Sequence, residues 1–165
     1  MIRIRRSLSA LVLLGVVAAV PAGASPANPG LPRHSVTPGA VDPRVTQGNI
    51  QSTICVSGYT STVRPSYSYT HDLKVSQLDG GYNYRGDTST RDYEEDHLVP
   101  LEVGGSPDSP KNLWPEPRYV AFGASKKDVL ENAIHRLVCS NALSLAAGQR
   151  IFETNWIAGY KKYVG

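Results

Sequence analysis

The sequence predicts a small single-domain α+β fold: a β-hairpin, a helix following it, an additional C-terminal helix, and a disulfide tying the domain. Three observations predict this. Strand-forming residues flank a Gly-Gly turn between positions 98 and 114, and two stretches after Ser125 repeat apolar residues at helical spacing. The chain also carries two cysteines, Cys55 and Cys139, far apart in sequence.

At the N-terminus, Arg3, Arg5 and Arg6 precede an apolar run from Leu8 to Val20, and Ala22-Gly23-Ala24 supplies small residues for cleavage. This is the plan of a secretory signal peptide over residues 1–24, so the expected protein is secreted, with no membrane span after signal cleavage. Three of the 17 basic residues lie in this signal, leaving 14 against 14 acidic residues. Bulk charge therefore gives no support to a tight, non-specific nucleic-acid binder. In an exported protein an even pair of cysteines is expected to be bridged.

Residues 25–48 carry five prolines, with Gly30 and Gly39 between them, which predicts a flexible or extended leader. The folded domain is expected over residues 49–165. Residues 54–63, rich in Thr, Val, Tyr and Ile, suggest a strand or hairpin, and residues 67–75 a short helix. Residues 79–90, rich in glycine and polar groups, read as a surface loop. Leu98, Val99, Leu101 and Val103 then predict a strand, with Pro100 assigning it to an edge. Asn112-Leu113-Trp114 returns as a short second strand, expected to stop at Pro115 and Pro117.

Ser125 is a candidate cap for a helix over residues 126–139. Val129, Leu130, Ala133, Ile134, Leu137 and Val138 occupy one half of that helix, and Asp128, Glu131, Asn132 and His135 a separate polar arc. A second helix from about Ser144 places Leu145, Phe152, Trp156 and Tyr160 at helical spacing.

The chemistry concentrates in Tyr93-Glu94-Glu95-Asp96-His97-Leu98-Val99-Pro100-Leu101, with Gly104-Gly105 and then Asn112-Leu113. An imidazole can act as a general base near neutral pH, and a neighbouring carboxylate can hold a hard divalent ion. With the helix that follows, the segment resembles the HNH endonuclease motif of the ββα-metal (His-Me finger) family, over residues 93–140. The resemblance implies a ββα-metal hairpin-helix core and hydrolysis of phosphodiester bonds in DNA or RNA, leaving a 5′-phosphate and a 3′-hydroxyl. It implies His97 as the general base, Asp96 as a ligand of a single divalent metal, and Asn112 as the residue that braces the hairpin. Mg²⁺ is the first expectation for that ion, with Mn²⁺, Zn²⁺ and Ni²⁺ as alternatives.

The family's third position falls on Ala121, so the remaining ligand is expected later in the helix. His135 and Glu131, four residues apart on one helical face, are the first candidates, followed by Asn132 and Asp128. Each of these also fits the solvated face of an amphipathic helix. Trp114 reads as hairpin packing, and Arg118 as a loop arginine that could meet a phosphate. The expected protein is thus a secreted, metal-dependent, monomeric nuclease acting on nucleic acid. The alternative is an exported non-catalytic binding or scaffold domain that keeps the same frame, which the neutral charge and the tyrosines of residues 59–93 suit.

Overall fold

A computed structural model describes residues 29–165; the expected signal peptide, residues 1–24, lies outside them. The chain runs through a short helix α1 (Tyr59–Val63), a longer α2 (Tyr67–Asp79), strand β1 (Tyr93–His97), strand β2 (Leu113–Pro117), and helices α3 (Ala124–Cys139) and α4 (Leu145–Tyr163). Strands β1 and β2 form a two-stranded antiparallel sheet, with Asp96 opposite Trp114 and His97 opposite Leu113. Helix α2 packs on both strands, while α3 and α4 pack on each other. Among the described residues, no helix is long and apolar enough to cross a membrane.

The hydrophobic core lies where α3 and α4 meet the hairpin loop. Leu130, Ile134 and Val138 of α3 and Phe152 and Trp156 of α4 are fully buried with Leu98, Val99, Val103 and Trp114. Every third or fourth residue of each helix faces inward, as the sequence predicts. Helix α4 starts at the expected place, because Ser144 accepts a hydrogen bond from Ala147 N and caps it. Its helical dihedrals break at Asn155, whose side chain accepts from Ala158 N and so caps the second segment. The expected disulfide is present between Cys55 and Cys139, 84 residues apart.

Four local expectations require correction. Residues 54–63 form no strand; turns and then α1 stand there instead, after a 3₁₀ turn at Ile50–Ser52. The first strand of the hairpin is not the apolar run after His97 but the charged segment Tyr93–His97 before it. Leu101–Val103 is a 3₁₀ turn that ends on Gly104 at φ +74°, a conformation that favours glycine. Pro115 and Pro117 do not stop β2 but lie inside it. Finally, α3 begins at Ala124 with Gly123 as its cap residue, so Ser125 caps nothing.

The proposed leader is also better tied than its composition suggests. Gly39 N donates to Lys111 O, Asp42 N to Gly104 O, and Ser106 N to Ala40 O. Trp156 Nε1 donates to Gly30 O at 2.7 Å. Residues 29–48 therefore lie hydrogen-bonded along the hairpin loop and α4, without regular structure of their own.

Candidate functional site

Side chains alternate along a strand, so β1 presents Tyr93, Glu95 and His97 to one side and Glu94 and Asp96 to the other. Helix α2 covers the first side: Lys74 Nζ donates to Tyr93 O and Gln77 Nε2 to Leu113 O. Helix α3 covers the second side through one residue, Lys127.

Lys127 has no solvent exposure and donates in three directions. Its Nζ lies 2.7 Å from Asp96 Oδ2 and 2.7 Å from His97 O, and it also pairs with Glu131 one turn along α3. Asp96 Oδ1 accepts from His97 N at 2.8 Å. The peptide units on both sides of His97 are thus held by one ion pair: Asp96 takes the amide and Lys127 takes the carbonyl. Glu116 of β2, also fully buried, sits beside this group.

One ammonium cannot neutralise three carboxylates, and the proton distribution follows from that. Burial opposes the charge on Asp96, but Lys127 and a hydrogen bond from Glu116 outweigh it and hold its pKa below the usual carboxylate range. Burial likewise opposes the charge on Lys127, which Asp96, Glu131 and Glu116 raise well above the ordinary lysine value. Burial, reinforced by Asp96, pushes Glu116 well up despite Lys127. Among the described residues no donor reaches either oxygen of Glu116, so no hydrogen bond stabilises its charged form. Burial pushes Glu131 up to about 8 against the pull of Lys127.

His97 is 3% exposed, and its Nε2 lies 2.8 Å from Pro107 O. A carbonyl oxygen can only accept, so we assign the proton to Nε2 and the lone pair to Nδ1. Burial lowers its pKa, against Asp96 and the Pro107 hydrogen bond, which favours the neutral ring. Arg64, exposed at the end of α1, is close enough to act on its charge.

Asn112 fixes the loop that carries the ring. Its Oδ1 accepts from Val99 N (2.9 Å) and Ala40 N (3.3 Å), and its Nδ2 donates to Val99 O (3.0 Å) and Ser106 O (2.9 Å). Gly105 makes the close approach possible, since a Cβ there would stand 1.8 Å from Val99 O and 3.0 Å from Asn112 Nδ2. The chain matches no family model, no curated protein and no solved structure. Its site is therefore read from its own geometry.

The three expected metal ligands do not converge. Both oxygens of Asp96 are engaged, by His97 N and Lys127 Nζ, and Glu131 is held by the same ammonium. His135 turns away to the other end of α3, where its Nε2 meets Ile54 O at 2.9 Å beside the disulfide. Among the described residues, the one group of three metal-capable side chains is Cys55, His135 and Cys139, whose sulfurs are bonded to each other. The donor set around Asp96 thus does not fit a divalent ion while Lys127 supplies the positive charge.

Arg118 pairs with Glu94 at 2.9 Å rather than standing free, and Trp114 is buried packing. Lys127, Glu116 and Arg64 were absent from the expected site. Lys127 had a legible signal: it lies three, seven and eleven residues before the buried Leu130, Ile134 and Val138, at the head of their stripe.

Proposed function

We propose that the chain hydrolyses phosphodiester bonds of nucleic acid, with His97 Nδ1 as the general base. The carrying observation is the Pro107 carbonyl on Nε2, which fixes the ring and its tautomer and leaves Nδ1 as the proton acceptor. The chain order supports an HNH-like core: hairpin, histidine at the end of its first strand, bracing asparagine, then helix. His97 Nδ1 would take the proton of the attacking water. Arg64, close enough to act on the charge of His97, offers an exposed guanidinium for the phosphate. Asp96 and Lys127 act as positioning residues, because they hold the peptide groups flanking His97.

The metal-dependent form of this reading loses its expected ligands at Asp96, so no step is assigned to a metal there. A non-catalytic scaffold is the second reading, favoured by the deep burial of His97 and by the filled Asp96 site. Incubating the purified chain with plasmid and with RNA separates the two. Cleavage that is abolished by His97→Ala is expected. Equal inertness of wild type and variant, with Mg²⁺, Mn²⁺, Zn²⁺, Ni²⁺ and with EDTA, rejects the nuclease reading in favour of the scaffold.

A further inference from the structure

We propose that reduction of the Cys55–Cys139 disulfide creates a site for a thiophilic divalent ion of the Zn²⁺ class, built from both thiolates and the imidazole of His135. This site is separate from the Asp96 cluster and does not depend on the proposed reaction.

The geometry is already assembled. One ligand atom each from Cys55, His135 and Cys139 lies within 4.8 Å of the others. His135 and Cys139 are four residues apart on α3 and share a face, while Cys55 comes from the loop before α1. The Cα atoms of the two cysteines are 5.6 Å apart. A tetrahedral ion with Zn–S bonds of about 2.3 Å needs its two sulfurs about 3.8 Å apart. Once reduced, the two sulfurs are free to reach that separation by rotation about their Cα–Cβ bonds.

A second observation points to a ligand. His135 Nε2 faces Ile54 O, an oxygen that can only accept, so the proton sits on Nε2 and the Nδ1 lone pair is free to coordinate. Metal-binding histidines are oriented by this kind of hydrogen bond from the other ring nitrogen to a carbonyl. A cavity of about 350 Å³ adjoins the group, lined by Cys55, His135 and Glu102 among others. One carboxylate oxygen of Glu102 is buried and meets no donor among the described residues. The fourth coordination position thus opens on the cavity, to water or to Glu102.

The chemistry balances with a dithiol as reductant. Two electrons break the S–S bond, the dithiol becomes a disulfide, and its two protons pass to the cysteine sulfurs. The ion then displaces both protons, and two thiolates cancel its charge. While the disulfide stands, its sulfurs are not thiolates and the site is closed.

Co²⁺ is a suitable probe because its thiolate complexes absorb light. The purified chain would be reduced with a phosphine, freed of reductant under inert gas, and titrated with Co²⁺ and then Zn²⁺, with circular dichroism recorded alongside. The expected result is one Co²⁺ per reduced chain with thiolate-to-metal absorption, displaced by Zn²⁺, and no such band for the oxidised chain. His135→Ala is expected to weaken binding at least tenfold while leaving the oxidised fold intact. The proposal is overturned if the reduced chain gives no thiolate band, if His135→Ala binds as tightly as wild type, or if reduction unfolds the chain and Zn²⁺ does not restore it.

Discussion

Helix α3 carries a polar cluster at each end, and the two are closed by different means. At its start, Lys127 stands among Asp96, Glu131 and Glu116, so the place of a cation is taken by an ammonium that belongs to the chain. At its end, His135 stands beside Cys55 and Cys139, and the ligands are tied up in a covalent bond. The first closure holds under any redox condition; the second lasts only while the disulfide does. The same spacing, Glu131 to His135, spans both clusters, which is why one helical face looked in sequence like a single metal site.

Breaking the second closure should have the largest effect. The chain-entropy model gives about 4–5 kcal/mol for a bond enclosing a loop of this length. Replacing Cys55 and Cys139 by Ala should lower the denaturant midpoint accordingly in equilibrium unfolding. Wild type under reductant should lose a similar amount and recover part of it when Zn²⁺ is added, whereas the double variant should not respond to Zn²⁺. A double variant as stable as wild type would remove the disulfide from the account of stability.

Breaking the first closure should cost slightly less. Lys127→Met leaves Asp96 and Glu131 buried without their cation, a defect of about 3–5 kcal/mol. The loss should shrink in acid, where the carboxylates can take protons. Adding Asp96→Asn and Glu131→Gln to Lys127→Met should recover most of the stability. If the triple variant is no better than the single one, the lysine matters for packing against Phe152, 5.8 Å from its Nζ, rather than for charge.

Asn112→Ala tests the frame between the two clusters. It removes four hydrogen bonds and strands the buried amide and carbonyl of Val99. About 2–3 kcal/mol is expected in thermal or chemical unfolding. Any nuclease activity should fall further than stability does, because the loop also sets the position of the His97 ring.

How much of this was legible depends on whether neighbours in sequence or neighbours in space decide the structure. The start of α4 near Ser144, the buried Leu130, Ile134 and Val138 of α3 and Phe152 and Trp156 of α4, and the disulfide follow from local or compositional signals, whereas Val129, on the expected apolar half of α3, is 48% exposed. Strand β1 was misplaced because Glu94, Glu95 and Asp96 are poor strand formers by propensity; Lys127, 31 residues after Asp96, makes the burial of that carboxylate tolerable. The prolines of β2 were misread for a related reason. Leu98 N bonds to Asn112 O and Arg118 N to Asp92 O, which puts Pro115 and Pro117 at the alternate positions whose amides point away from the partner strand. A two-stranded sheet has two free edges, so a missing N–H there costs nothing. Helix α2 uses the same outward-facing positions, bonding the carbonyls of Tyr93 and Leu113. In the site, His97 stands at the end of β1 and Asn112 braces the loop after it, while both oxygens of Asp96 are taken, one by the His97 amide and one by a lysine that sequence spacing does not connect to it.

The contrast between a satisfied and an unsatisfied charge also runs across β1 itself, and it gives the smallest expected effect. Asp96 faces α3 and has an ammonium; Glu95 faces α2, and neither of its oxygens accepts a hydrogen bond among the described residues. Burial pushes Glu95 up to about 8, only partly opposed by Lys74. Its folded pKa exceeds the unfolded value of 4.5, so the folded chain holds a proton that the unfolded chain has released. That contribution is complete below about pH 4.5 and is lost as pH rises toward 8, so stability should fall over this window. Asp96 shifts the opposite way, and its contribution changes only in stronger acid, outside the window. Glu95→Gln should therefore flatten the decline in unfolding free energy between pH 5 and 8 by about 1–2 kcal/mol, with Glu131 retaining a slope of the same sign. Parallel profiles for wild type and Glu95→Gln would mean that Lys74 swings across to pair with Glu95, making the two sides of β1 alike.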